Sequence, residues 1–131
     1  MQVFHERRGH RSDSRREALM LQLRASARRA GVEAMVLADH RGRVIARSDR
    51  DTVADELASF SPFLAKPKTW FGKVQFEGQS RSVAVSPFQL GKNTAYLCAL
   101  GAKRRTIQGV FLQTTAGVRR IMNRSGRNPG G

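Results

Sequence analysis

Two spacings of apolar residues alternate along this chain, one helical and one strand-like, and together they predict its elements. Leu19, Leu23, Ala27 and Ala30 recur at helical spacing, with Arg24, Arg28 and Arg29 off that line. Ser12 or Asp13 suits the cap of this helix, and Gly31 its left-handed stop. Ala34–Ala38 follows as a short, nearly continuous apolar run, and Asp39-His40-Arg41-Gly42 is a turn signal. Arg43–Ser48 alternates in part, with Val44 and Ile45 between Arg43 and Arg47. Together these segments read as a hairpin.

Thr52-Val53-Ala54-Asp55 has the form of a capping box, with Asp in place of the usual Glu. It opens a second helix, in which Val53, Leu57, Phe60 and Leu64 repeat at helical spacing. Pro62 weakens or bends the end of that helix, and Lys66-Pro67-Lys68 stops it. Three strands come next. Trp70, Val74 and Phe76 alternate with Phe71, Lys73, Gln75 and Glu77, and Gly78-Gln79 turns the chain. Arg81–Ser86 puts Val83 and Val85 on one face and Ser82 and Ala84 on the other. After a turn at Gly91-Lys92-Asn93, Ala95–Leu100 is apolar on both faces. A long last helix runs from about Arg104 to Asn123 with the stripe Ile107, Val110, Phe111, Thr114, Val118, Ile121 and Met122. Gly109 and Gly117 each cost a helix about 1 kcal/mol. Gly109 is expected to mark a close approach to the sheet.

The predicted class is therefore α/β in the α+β sense. The order is α-β-β-α-β-β-β-α, with a five-stranded antiparallel sheet and helices on both faces. The two strands that are apolar on both faces belong in the middle, and the half-polar Trp70–Glu77 strand at an edge. Residues 12–124 form one domain, flanked by a basic disordered tail at 1–11 and a flexible tail at 125–131. A length of 131 residues with 40% hydrophobic content fits a single folded domain. The lone Cys98 allows no internal disulfide, and no apolar run approaches the ~20 residues of a membrane span. A cytoplasmic location is the default expectation.

Charge changes the picture at the two ends. The net charge is +14. Residues 1–31 hold +5 of it and 101–131 hold +7, which leaves +2 for 32–100. Arg15, Arg16, Arg119, Arg120 and Arg124 form the candidate basic patch. Such ends attract nucleic acid, an anionic membrane surface or an acidic protein, or simply keep a small protein soluble.

Catalytic and metal motifs fail one by one. His5-Glu6 and His10 miss the His-Glu-x-x-His spacing by one residue, so the two rings share no helical face. Gly91-Lys92 lacks the upstream glycine of a phosphate loop. No Gly-x-Ser-x-Gly elbow occurs. Cys98 lies in a strand expected to be buried, where a thiol is inert packing. Asp49, Asp51, Asp55 and Glu56 cluster around the second helix, whose N-terminal charge favours carboxylates. Asn123-Arg124-Ser125 matches a glycosylation acceptor without meaning for a cytoplasmic chain. The reading is a non-enzyme with no cofactor, no metal and no small-molecule substrate.

What remains is apolar material at an edge. Trp70-Phe71 opens the edge strand, which Lys73 and Glu77 blunt only in part. An aromatic edge that stays soluble either pairs with a twin across a two-fold axis or is covered by its own helix. Stacking of Trp70, Phe71 and Phe76 on bases is a further option, though no nucleic-acid motif accompanies it.

The element order, with three stretches, resembles the Roadblock family, related to dynein light chains. The first stretch is Gly31-Val32-Glu33-Ala34-Met35-Val36-Leu37-Ala38-Asp39 with Gly42-Arg43-Val44-Ile45-Ala46. The second is Asp55-Glu56-Leu57-Ala58, and the third is Leu97–Leu100 leading into the last helix. The resemblance covers roughly residues 14–123. It implies a homodimer in which the strand matching Trp70–Glu77 pairs with its twin and the second helices lie side by side. The interface expected from it comprises Val53, Leu57, Phe60, Trp70, Phe71, Val74 and Phe76. It also implies a platform without an active site, serving a small Ras-like GTPase or a larger scaffold or motor. The bacterial gliding member of the family stimulates its GTPase by reshaping it, without donating an arginine.

Overall fold

A computed structural model describes the backbone of residues 2–49, 53–66 and 68–126, and the side chains of 14–49, 53–66 and 68–123. The elements are α1 (Gln2–Ala30), β1 (Ala34–Ala38), β2 (Val44–Arg47), α2 (Ala54–Leu64), β3 (Trp70–Phe76), β4 (Gln79–Leu90), β5 (Asn93–Leu100) and α3 (Arg104–Gly126). The strands form one antiparallel sheet in the order β2-β1-β5-β4-β3. The order and the class are those expected, with β1 and β5 inside and β3 at an edge.

Side-chain alternation along the strands divides the core in two. Met35, Leu37, Ala84, Leu97 and Ala99 point to one face and pack under α1 and α3, against Leu19, Leu23, Ile107, Phe111 and Val118. Ala34, Val36, Val83, Val85, Cys98 and Leu100 point to the other and pack under α2, against Val53, Ala54, Leu57 and Ala58. A strand buried on both faces needs no polar alternation, which is why β1 and β5 read as continuous apolar runs.

Several boundaries differ from expectation, each for a local reason. The helix α1 begins at Gln2 rather than at a Ser12 or Asp13 cap, so the backbone of most of the expected tail is helical. That stretch has no apolar period to announce a helix, but it also has no proline to stop one. The strand β4 runs on to Leu90, past the expected end at Ser86. Pro87 is tolerated because β3 begins opposite Val85, so β4 is paired on one side only beyond that point. The β3–β4 loop is Glu77-Gly78, one residue earlier than Gly78-Gln79. Its φ angles of 52° and 79° are those of a type I′ hairpin turn, which needs both central residues left-handed.

The expected capping box rests on a residue that the structure does not describe. Thr52 lies outside the described residues, and the N-cap of α2 is Val53, which makes no side-chain cap bond. Asp55 and Glu56 complement the positive end of the helix instead. The helix passes through Pro62 and ends at Leu64; Pro67 lies outside the described residues. Proline has no N–H to offer the carbonyl of Ala58, four residues back. The buried Ser61 hydroxyl donates to that carbonyl at 2.6 Å, which explains how the last turn survives. The expectation for Gly109 is corrected. A Cβ there would meet nothing within 4 Å, because Gly109 faces away from the sheet. Gly117 is the closely approached glycine, with the Gln22 amide against it.

Candidate functional site

The β1–β2 hairpin fixes the position of α2. Asp39 Oδ1 accepts hydrogen bonds from the backbone N–H of Arg41 and of Arg43, each at 2.9 Å, and Oδ2 meets the Arg43 guanidinium at 3.2 Å. Burial opposes the Asp39 charge, but these bonds outweigh it and hold the carboxyl below its ordinary value. The turn brings Gly42, at φ +80°, against the backbone of Ala58 and Ser59. A Cβ on Gly42 would lie 3.1 Å from the Ala58 carbonyl oxygen. Arg47 of β2 also reaches Asp55 of α2, at 3.6 Å.

With α2 seated, its outer side carries apolar residues in the open. Phe63 is 77% exposed and Phe60 37%. Three residues apart, they share one face of the helix. The Phe60 ring lies 6.1 Å from that of Phe76, at the end of β3. On the same face of β3, Val74 and Trp70 are half-buried. The indole of Trp70 folds back along its own strand over Gly72, where a Cβ would come within 2.5 Å of the ring. Beyond β3 no further strand is hydrogen-bonded among the described residues.

The interface residues expected from sequence divide between buried and accessible positions. Val53, Leu57 and Phe76 are 4% exposed or less and belong to the core under α2. Phe71 points to the opposite face, under the Arg104 guanidinium at 5.2 Å. Phe60, Trp70 and Val74 remain accessible. Phe63 escapes the sequence reading, because the helical stripe follows its buried line to Leu64. The Phe60-x-x-Phe63 spacing is the signal that could have found it.

The described basic residues of the first and last helices lie on neighbouring elements. The helices α1 and α3 run side by side, joined by Ser26 with Thr114 at 2.7 Å and Arg29 with Gln113 at 2.8 Å. Arg15 and Arg16 consequently border a groove of about 210 Å³ with Met122 of α3 and Ile45 of β2. Arg119 and Arg120 are exposed nearby on α3. Arg119 bonds to the Gln89 carbonyl at 3.2 Å and covers Phe88 at 5.5 Å. The side chain of Arg124 lies outside the described residues.

Cys98 is fully buried, and burial pushes its thiol up to about 12, against a weaker opposing effect of the nearby Ser61 hydroxyl. It packs among Val36, Val85 and Leu100 of the core under α2. His40 is exposed on the hairpin turn, and His5 and His10 fall among residues whose side chains are not described. Among the described residues no group of three or more metal-binding side chains comes together. Nor is any helix among them long and apolar enough to cross a membrane.

No protein-family model and no curated protein matches the chain. Solved structures do. The gliding protein MglB from Thermus thermophilus is similar at a TM-score of 0.58 and 18% identity, over 84% of this chain and 92% of that one. Myxococcus xanthus MglB is similar at 0.62 and 11% identity, over 86% and 93%. A structure described as MglB with tetrameric arrangement is similar at 0.58 and 18% identity, over 85% and 92%. Agreement over so much of each chain establishes one shared architecture: this chain carries the Roadblock-type fold of the MglB gliding proteins.

Proposed function

We propose that the chain is a non-catalytic, homodimeric protein-binding module that regulates or scaffolds a small Ras-like GTPase. The observation that carries this reading is the exposed pair Phe60 and Phe63 on α2, beside an edge strand with no neighbour on its outer side among the described residues. An open edge is a template for strand pairing, and an apolar patch beside it adds the burial that makes pairing stable. Two copies related by a two-fold axis through β3 would join their sheets and set the two α2 helices side by side. The interface would use Phe60, Phe63, Trp70 and Val74. The tetrameric arrangement described for one MglB structure is in keeping with self-association in this fold. The GTPase partner follows from the Roadblock resemblance.

The test is a pull-down with tagged full-length chain from source lysate, at moderate salt with nuclease, with and without a non-hydrolysable GTP analogue. Recovery of a small GTPase that depends on the nucleotide supports the reading. An eluate free of any GTPase in both nucleotide conditions sinks it.

A further inference from the structure

The two faces of the sheet differ in charge among the described residues: the acidic Asp55 of α2 is paired with Arg47, while the helices of the other face carry unpaired arginines. The helix α2 holds Asp55 and Glu56 and no basic residue. On the other face, the exposed residues described for α1 and α3 include four arginines on each helix, against Glu17 alone. The two helices pack side by side on one sheet face: Arg28 and Arg120 lie on the sides away from the sheet, while Arg15, Arg16, Arg104 and Arg119 lie at the margins, beside Ile45, Phe71 and Phe88. None of the eight is in an ion pair among the described residues. Where their guanidinium groups are held, the partners are neutral: the Gln113 amide for Arg29, the Gln89 carbonyl and the Phe88 ring for Arg119, the Phe71 ring for Arg104. The charge is oriented but not neutralised.

Between the arginines the same surface exposes apolar residues. Leu21 is 51% exposed and Leu112 73%. Leu21, Ala25 and Arg28 follow one another at helical spacing on the side of α1 away from the sheet, and Leu112, Ala116 and Arg120 do so on α3. We propose that this α1–α3 face docks on an anionic lipid bilayer, with the arginines on phosphate headgroups and Leu21 and Leu112 in the interfacial layer. Charge complementarity and the paired leucines argue for lipid over nucleic acid. A phosphate backbone gives a leucine nothing to contact, while a base-stacking surface uses exposed aromatics, and the exposed phenylalanines lie on α2 instead. The inference does not depend on the GTPase reading. It leaves the α2 face turned away from the membrane.

The test is co-sedimentation of the full chain with phosphatidylcholine vesicles and with vesicles of phosphatidylcholine and phosphatidylserine in equal parts. Two variants accompany it, Arg28→Glu/Arg105→Glu/Arg120→Glu and Leu21→Gln/Leu112→Gln, each checked for a native circular dichroism spectrum. All five sites are exposed, so both variants should fold. The wild type should pellet with the anionic vesicles only. The charge reversal should weaken that binding by about two orders of magnitude or more, and the leucine variant by a smaller but clear factor. A wild type left in the supernatant overturns the proposal. Vesicle binding untouched by the arginine reversal overturns it too, and assigns the attraction to the chain ends. Duplex DNA that displaces the vesicles, and binds both the wild type and the leucine variant equally, would replace lipid with nucleic acid.

Discussion

Phe60 of α2 and Phe76 of β3 hold their rings 6.1 Å apart at a tilt of 41°, one ring partly open to solvent and the other buried. Through this contact the helix and the edge strand act as one surface. The two phenylalanines on α2 should therefore separate from Phe76 in their effects. Phe76→Ala should lower stability by about 3–5 kcal/mol, since it empties a core position. Phe63→Ser should leave stability within about 0.5 kcal/mol and weaken self-association. Chemical denaturation of both variants checks the first part, and their mass in solution the second.

Two glycines should respond to alanine with opposite sign. At Gly42 the backbone is left-handed and lies against α2, so Gly42→Ala should cost about 2 kcal/mol or more. Gly109 is exposed within α3 with open space where a Cβ would go, so Gly109→Ala should add about 0.5–1 kcal/mol. Thermal melts of the pair decide it.

Ser61 bridges the gap that Pro62 leaves in α2. Ser61→Ala should cost about 1–3 kcal/mol by stranding the buried Ala58 carbonyl. Restoring the backbone donor in Ser61→Ala/Pro62→Ala should recover part of that loss. If the double variant melts no higher than the single one, the bridge has been misassigned.

Acid should erase the contribution of Asp39. Its carboxyl is held below the ordinary value by the Arg43 and Arg41 bonds, so its charge stabilises the fold above the unfolded-state value of 3.8. That contribution fades as pH falls through the lower folded value. The wild type should accordingly exceed Asp39→Asn in stability near neutrality, and the margin should narrow below pH 3.8. Urea melts across that range read the difference directly.

Much of the architecture is legible because burial on two faces leaves a sequence mark. The runs Ala34–Ala38 and Ala95–Leu100 name two of the three inner strands, and the mixed Trp70–Phe76 segment names one of the two edges. The surface is less legible. Helical spacing finds the residues that go inward, so it groups the buried Val53 and Leu57 with Phe60 and passes over the exposed Phe63. The basic patch is split between two ends of the chain. Only the packing of α1 against α3, a contact between residues such as Ser26 and Thr114 that no local pattern announces, sets its described arginines on neighbouring elements.

The open edge of β3 and the exposed α2 phenylalanines are the central claim, as a surface for self-association. Sedimentation equilibrium of the full chain, beside a Phe63→Asp/Val74→Lys variant, tests this most directly. The chain mass is 14.6 kDa. A wild type at twice that mass, with the folded variant at the single value, is the result predicted. A wild type that stays monomeric at every concentration, or a variant that dimerises as well as the wild type, would contradict it.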